Sequence, residues 1–181
     1  MRLTVLLLAL AAATPVLAGD FTAKPAVSVR AEGDGGAASA SVDIAAPPSA
    51  VWAALTDCAG YPRYMPGVVS CRIVSRGPGW EVREQKIRGL PLMKPLTNIF
   101  RADLTPPSRF SFHRVGGDWK RSEGEWRLTA IPGGTHVTYE IHVAMAGAAP
   151  AGLVRSSVAS GLPRSLEALR KESLARARKA S

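Results

Sequence analysis

Residues 125–145 contain the feature that most constrains the fold, two alternating segments joined by a tight turn. In residues 135–145 apolar side chains occupy every second position, from Val137 to Met145, and the polar residues His136, Thr138, Glu140 and His142 lie on the other face. A period of two is typical of a strand with one buried face. The turn sequence Pro132-Gly133-Gly134 separates this strand from another at residues 125–131, so the two segments predict an antiparallel hairpin.

Further short segments, bounded by Gly and Pro turns, extend this pattern towards the N-terminus. Residues 38–44 alternate as a half-buried strand, which Pro47 and Pro48 end, and Val51, Trp52 and Leu55 then have helical spacing. The hairpin belongs to a meander of about six antiparallel strands after this short helix, whose earlier segments lie at residues 68–75, 80–88, 97–104, 109–115 and 119–122.

The last part of the chain, residues 151–178, has the pattern of a long helix. Its apolar stripe consists of Val154, Val158, Leu162, Leu166 and Leu169. A sheet with one apolar face and a helix with one apolar stripe predict an α+β domain, in which each covers the other.

The N-terminus predicts an exported protein. Arg2 precedes an apolar run at residues 3–13, and residues 16–18 end in small side chains, so residues 1–18 are interpreted as a signal peptide cleaved before Gly19. A membrane anchor is the alternative, but the run is shorter than the roughly 20 residues that a spanning helix needs. We therefore expect a periplasmic or secreted protein, with a flexible leader at residues 19–37, a short strand within it around residues 27–31, and one domain at residues 38–178.

The two cysteines bear on the redox compartment, and the net charge bears on the choice of partners. Cys58 and Cys71 are the only cysteines, and in an oxidising compartment a disulfide between them is expected. The net charge of +9 favours acidic partners. Nucleic acid is not expected, because the basic residues are scattered rather than grouped with aromatic residues. Transient contact with an anionic membrane surface is the better hypothesis, and a purely solubilising charge is the alternative.

Motifs for catalysis or for metal binding do not stand out. His136, Glu140 and His142 share one face of a predicted strand, but the opposite face is apolar, so a solvated outer face is favoured over a metal site. No nucleophile elbow and no phosphate-binding glycine loop are present. The sequence therefore predicts no catalytic residue, no metal and no other cofactor. Polar candidates for the interior are Arg83, Glu84 and Arg101, each of which is expected more often at the surface.

Three stretches resemble the START-like superfamily, which includes polyketide cyclases and coenzyme Q-binding proteins. They are residues 42–52 with the following Tyr61-Pro62-Arg63-Tyr64-Met65-Pro66, then Gly124-Glu125-Trp126-Arg127-Leu128, and the terminal helix. The resemblance covers about residues 38–175. It implies a helix-grip fold, a curved antiparallel sheet wrapped around the terminal helix with a tunnel between them. The superfamily contains carriers, receptors, cyclases and hydrolases, so the fold alone does not select a function.

This fold implies a set of ligand-contacting side chains and a gate. The ligand-binding candidates, for which ordinary core packing is the alternative, are Val82, Phe100, Phe112, Trp126, Tyr139, Ile141, Leu162 and Leu166. The loop between Arg88 and Lys94 is unusually apolar, and the gate residues are predicted to be Leu90, Leu92, Met93 and Leu96.

The functional prediction is a monomeric, exported carrier that holds a hydrophobic small molecule or lipid in an internal cavity. Two alternatives stay open at this stage. One is a polyketide cyclase-like or hydrolase-like enzyme of the same fold, and the other is a protein-interaction module with a filled core.

Overall fold

The computed structural model describes residues 19–88, 94–147 and 151–180. Its strands are β1 (Ala26–Glu32), β2 (Gly35–Ile44), β3 (Val68–Gly77), β4 (Trp80–Ile87), β5 (Leu96–Thr105), β6 (Arg109–Gly117), β7 (Trp119–Ile131) and β8 (Gly134–Met145). Its helices are α1 (Pro48–Thr56), α2 (Tyr61–Tyr64) and α3 (Ala151–Ala180), with a 3-10 turn at Cys58–Gly60.

All eight strands form one antiparallel sheet in the order β1-β2-β8-β7-β6-β5-β4-β3. Six of them follow α1, and α3 runs without a break through Pro163. The prediction of an α+β fold, with a curved antiparallel sheet around a long terminal helix, is confirmed.

The segment before residue 38 contains the short strand that was expected around residues 27–31, but that strand belongs to a hairpin and not to a flexible leader. Ala26–Glu32 pairs in continuous register with β2, and the turn between them includes Gly33 at a φ of 55°. Val27 and Val29 pack against the core, which gives this strand a buried face. The glycine-rich stretch from residue 33 is therefore a hairpin turn and the beginning of a paired strand: Gly33 has the positive φ of the turn, and a Cβ atom at Gly35 would lie 2.0 Å from the carbonyl oxygen of Val143 on β8.

The core lies where α3 meets β1, β2 and α1. Leu166 and Leu169 are fully buried there, facing the small side chains of Ala38 and Ala40. A Cβ atom at Gly36 would lie 2.8 Å from the Cγ of Arg155, so a larger residue at this position of β2 would displace the Arg155 side chain of α3. The small residues of β2 thus allow the helix to approach this half of the sheet closely.

The carbonyl end of α1 is satisfied almost entirely by side chains from elsewhere in the chain. The last four carbonyl groups of a helix have no partner within it. Here the side-chain donors are Arg176 Nη1 to Ala53 O at 3.0 Å, Tyr64 Oη to Ala54 O at 2.5 Å, Tyr61 Oη to Leu55 O at 2.5 Å, and Arg83 Nη2 to Thr56 O at 3.0 Å. The two arginines also place positive charge at the negative end of the helix dipole.

A disulfide joins Cys58, directly after α1, to Cys71 on β3, with a Cα–Cα distance of 5.2 Å. It therefore ties the end of α1 to the edge of the sheet. No helix in the described ranges is long and apolar enough to cross a membrane.

Replacing both Cys58 and Cys71 by Ala is expected to lower the free energy of unfolding by about 3 kcal/mol, because the bond closes a short loop in the unfolded chain. Urea denaturation of the variant and the oxidised protein measures this difference. The chemically reduced protein is the control and should show a similar loss. A loss below about 1 kcal/mol would mean that the bond does not restrict the unfolded chain as this loop size implies.

Candidate ligand-binding cavity

A cavity of about 490 Å³ lies between the concave face of the sheet and the first half of α3. Strands β4 to β8 supply one wall, and residues 153–165 of α3 supply the other. The volume is in the usual range for pockets that enclose one small molecule. The sheet and the helix therefore do not fill the space that they enclose.

Aromatic side chains form the middle of the sheet wall. The rings of Trp126 and Tyr139 stack with centroids 3.7 Å apart and an interplanar angle of 12°, and Phe100 lies 5.4 Å from Phe112. Phe112 is paired across the strands with Gly124, where a Cβ atom would approach the Phe112 ring to 3.0 Å and a backbone carbonyl to 2.2 Å. Gly124 thus allows the ring to lie flat on the sheet.

Most of the predicted ligand-binding side chains line this cavity. Those that do are Phe100, Phe112, Trp126, Tyr139, Ile141 and Leu162. Leu166 is fully buried in the core and does not line the cavity. Ligand contact by these residues stays a prediction.

Val82 does not belong to this set, and its assignment to the inner face is corrected. On β4 the buried positions are Glu81, Arg83 and Gln85, so Val82 and Glu84 project from the opposite face. The strand has few apolar residues, and the hydrophobicity of Val82 pointed to the wrong face. In most strands the apolar residues are on the buried face and the polar residues on the exposed face. On β4 the buried positions are polar.

The predicted gate is described in part. Leu96 begins β5 and lines the cavity, opposite Ile87 on β4, whereas Leu90, Leu92 and Met93 lie outside the described residues. Arg88 and Leu153 also line this end, and Leu153 is 41% exposed. The cavity therefore reaches the protein surface near the start of α3.

Arg83 is fully buried in the cavity wall, where the sequence favoured a surface position. Its Nε lies 2.5 Å from Glu81 Oε1, and the guanidinium is 4.9 Å from the centroid of the Phe110 ring. Glu81 itself is 8% exposed, so the two charges form a buried ion pair. The other two polar candidates face away from the cavity: Glu84 pairs with Arg72, and Arg101 pairs with Asp103.

Three buried side-chain atoms in the described part of the chain have no hydrogen-bond partner. They are Arg83 Nη1, Asn98 Oδ1 and Trp119 Nε1. All three residues line the cavity. The other end of the Asn98 amide donates to Ser122 Oγ at 3.0 Å. Buried polar atoms are rarely left without a partner, so three of them around one cavity indicate a place for polar groups of a ligand.

Comparison with known proteins places this geometry in a family. The sequence profile of the family described as "Polyketide cyclase / dehydrase and lipid transport" matches residues 44–170. This chain belongs to that family. No curated protein sequence matches it.

Solved structures of START-like proteins share the family fold. A STAR-related lipid transfer protein from Xanthomonas axonopodis has a TM-score of 0.73 at 18% identity, covering 83% of this chain and 94% of its own. Human STARD10 has a TM-score of 0.70 at 16% identity, covering 84% and 70%. The Zhui aromatase/cyclase from Streptomyces has a TM-score of 0.62 at 20% identity, covering 79% and 93%. At these identities the likeness shows the fold.

Two tyrosines of this family member lie deep in the cavity wall. Burial raises the pKa of the Tyr61 hydroxyl, although the positive charge of Arg83 opposes the shift. Burial likewise raises the pKa of the Tyr139 hydroxyl. Both hydroxyls are therefore neutral at physiological pH, and they act as hydrogen-bonding groups rather than as charges.

The histidines that the sequence singled out lie on the outer face of β8. His136 Nδ1 is 2.6 Å from Asp43 Oδ1, and His142 Nδ1 is 2.7 Å from Glu32 Oε2. Among the described residues, no group of three or more His, Cys, Asp or Glu side chains is arranged to hold a metal ion. These two pairs hold β1 and β2 to β8.

Replacing Arg83 by Met is expected to lower the free energy of unfolding by about 3 kcal/mol, because Glu81 stays buried without its partner. Replacing Glu81 by Leu in the same chain should restore part of this loss, since no uncompensated charge is left and only the carbonyl of Thr56 stays without its partner. Urea denaturation of the single and double variants measures both effects. If Arg83→Met alone costs less than about 1 kcal/mol, the pair behaves as a surface ion pair and the burial argument is wrong.

Proposed function

We propose that this chain is an exported carrier that encloses one hydrophobic molecule between its sheet and its terminal helix. The observation that supports this most directly is the cavity of about 490 Å³ beside a well-packed core. An interaction module would have no reason to keep such a space empty, because unfilled apolar volume destabilises a fold. A bound molecule supplies the missing contacts.

Export is part of the proposal. Residues 1–18 have the pattern of a signal peptide, and the disulfide between Cys58 and Cys71 is stable in an oxidising compartment. A hydrophobic molecule dissolves poorly in the aqueous space outside the cytoplasm. A protein that shields it there would carry it between membranes.

The rim of the cavity supports contact with an anionic membrane. Arg88 lines the cavity together with the exposed Leu153. Lys94 lies two residues before the cavity-lining Leu96 in the sequence, and Arg155 lies two residues after Leu153. Cations beside an exposed apolar residue favour the surface of an anionic bilayer. Docking there would place the opening of the cavity against the lipid.

The buried group of Arg83, Glu81 and Tyr61 favours a second candidate, an enzyme of the same family. A guanidinium held in an apolar cavity can stabilise a developing negative charge on a substrate oxygen. The aromatase/cyclase with a similar fold is consistent with this candidate. Turnover of an added carbonyl compound would separate an enzyme from a carrier. An enzyme would lose this turnover in Arg83→Met and keep it in Gly161→Ala, a variant that leaves the cavity almost unchanged.

The carrier proposal predicts a bound hydrophobic molecule in protein purified from its own envelope, with close to one molecule per chain. Native mass spectrometry before and after lipid extraction measures this. Gly161 lines the cavity, and a Cβ atom there has no atom within 4 Å, so Gly161→Phe should fill the space without disturbing the core. We expect this variant to lose the bound molecule.

Gly161→Ala is the matched control, because it makes the same backbone change and leaves the cavity almost unchanged. It should retain the molecule at the level of the natural chain. If the natural chain is empty and takes up none of a panel of fatty acids, sterols and isoprenoids, the carrier proposal is wrong. Equal loading of the Phe and Ala variants would place the molecule outside this cavity.

Membrane contact predicts binding to vesicles with anionic lipid, weakened by salt. Removing the charges of Arg88, Lys94 and Arg155 together by substitution to Gln should reduce binding by about 1 kcal/mol for each cation. Co-sedimentation with vesicles at low and high salt measures the change.

The control removes two charges from the end of α3, Arg178→Gln with Lys179→Gln, far from the cavity rim. A larger effect of this control than of the rim variant would assign membrane attraction to the basic tail. Equal binding to neutral and anionic vesicles would contradict the electrostatic argument.

A further inference from the structure

We infer that the domain binds its own processed N-terminus: the ammonium group that cleavage creates on Gly19 pairs with the carboxylate of Asp43. This inference rests on the export part of the proposed function, since it needs the cut before Gly19. It follows from the way residues 19–23 lie against the end of β2, the β7–β8 turn and the second half of α3.

The first residues after the predicted cut are held by Asp43, near the end of β2. The backbone N–H of Asp20 donates to Asp43 Oδ2 at 2.9 Å. Asp43 Oδ1 lies 2.6 Å from Nδ1 of His136 on β8, so the two carboxylate oxygens serve different elements. Each oxygen of a carboxylate can accept more than one hydrogen bond, and Oδ2 therefore keeps capacity for a second donor.

Residues 20–23 form a turn that closes on the side chain of Asp20. Asp20 Oδ1 accepts hydrogen bonds from the Thr22 hydroxyl at 2.8 Å, from the Thr22 N–H at 3.0 Å and from the Ala23 N–H at 3.0 Å. These bonds hold the pKa of the Asp20 carboxyl below its usual range. The turn fixes the direction in which the chain leaves Asp20, and so the position of Gly19.

Arg170 of α3 fastens the other end of this turn. Its Nη2 donates to the carbonyl of Ala23 at 2.6 Å, and its Nε donates to the backbone carbonyl of Asp43 at 3.2 Å. The charge of the guanidinium is balanced by Glu167, which lies 2.9 Å from Nη1. Arg170 therefore joins the helix to the N-terminal turn without pairing with the carboxylate of Asp43.

The β7–β8 turn packs against the same segment. A Cβ atom at Gly134 would lie 2.6 Å from the ring of Phe21, and one at Gly133 would lie 3.3 Å from it. A Cβ atom at Gly19 would lie 2.5 Å from Cδ1 of Ile131. The Phe21 ring thus covers the turn, and glycine at position 19 fits where a larger first residue would displace Ile131.

The nitrogen of Gly19 lies close to Asp43 because it is one residue away from the N–H that Asp43 accepts. Successive backbone nitrogens are about 3–4 Å apart, so this nitrogen lies within about 7 Å of Asp43 Oδ2. In the precursor it belongs to a peptide bond and carries no charge. Cleavage turns it into an ammonium group with three donors, and rotation about the Gly19 backbone can bring it into contact with the carboxylate.

The charges around this nitrogen favour a cation. Within the described ranges, the only cationic group within 4 Å of the Asp43 carboxylate is His136, whose ring is charged only when it is protonated. The permanent charges that face the segment are negative on Asp20, Asp43 and Glu167 and positive on Arg170. An ammonium group offsets this negative excess, so cleavage is expected to stabilise the exported form over the precursor.

The test compares the chain that begins at Gly19 with the same chain acetylated on its α-amino group, which removes the charge and adds little bulk. Acetic anhydride at about pH 6.5 selects this amine, because lysine side chains stay protonated there, and mass spectrometry verifies one acetyl group per chain. Acetylation is expected to raise the unfolding equilibrium constant about threefold at about pH 7, the effect of a partly exposed ion pair. Urea denaturation measures the change.

Two variants identify the partner of the ammonium group. In Asp43→Asn, acetylation should have no further effect, since the partner charge is already gone. Asp20→Asn is the matched control, because it removes a neighbouring charge while the amide oxygen still accepts the hydrogen bonds of the turn. Acetylation should keep most of its effect there. Circular dichroism verifies that each variant is folded before the unfolding constants are compared.

The outcomes separate the inference from the proposal beneath it. The intact mass of protein from its own envelope should correspond to a chain that begins at Gly19; retention of residues 1–18, or another first residue, overturns both the predicted cut and the inference. A Gly19 start combined with no effect of acetylation, or with an equal effect in Asp43→Asn, overturns the inference and leaves export standing. An effect that is lost in Asp20→Asn and kept in Asp43→Asn also overturns it.

Discussion

The carbonyl end of α1 is the point on which the arrangement of the domain depends. The last four carbonyl groups of α1 each accept a hydrogen bond from one of the side chains of Tyr61, Tyr64, Arg83 and Arg176. In the described part of the chain, only the carbonyl of Ala54 also accepts one from the backbone, from the N–H of Asp57. The side-chain donors come from α2, β4 and α3, so one small helix end links the edge of the sheet to the terminal helix. The disulfide from Cys58 reinforces the same place. Because Arg83 serves this end and the cavity wall at once, the fold and the candidate site share a residue.

The cavity results from an unequal sheet. On one side, the alanines and glycines of β2 allow α3 to pack closely, and Leu166 and Leu169 are fully buried there. On the other side, Phe112, Trp126 and Tyr139 line the cavity that lies between the concave face and α3. Close packing of α3 on the β1 and β2 side of the sheet supplies stability. The other side of the sheet is free to hold a ligand. A sheet of uniform side chains would close over the helix along its whole length.

Local patterns predicted most of the elements. The six strands after α1 and the long terminal helix follow from turn residues and hydrophobic period, which depend only on neighbouring positions. The same reasoning predicted the strand at residues 27–31 but missed its pairing with the start of β2, because glycines that allow a helix to pass closely look like loop residues in sequence. It also misassigned Val82 and expected Arg83 at the surface, since a polar residue that faces a cavity breaks the rule by which inner and outer faces are distinguished.

By itself, the sequence determined that Gly and Pro turns separate short strands of alternating polarity. It also determined that the last helix has one apolar stripe and that two cysteines are available for one disulfide bond. These are properties of short segments, and physical chemistry acts on them before the chain has folded. Only the tertiary structure decided which face of β4 is inner, that Arg83, Asn98 and Trp119 share one cavity, and that each keeps an atom without a partner. These residues lie on three strands, and the distances between them exist only once the sheet has curved around the helix.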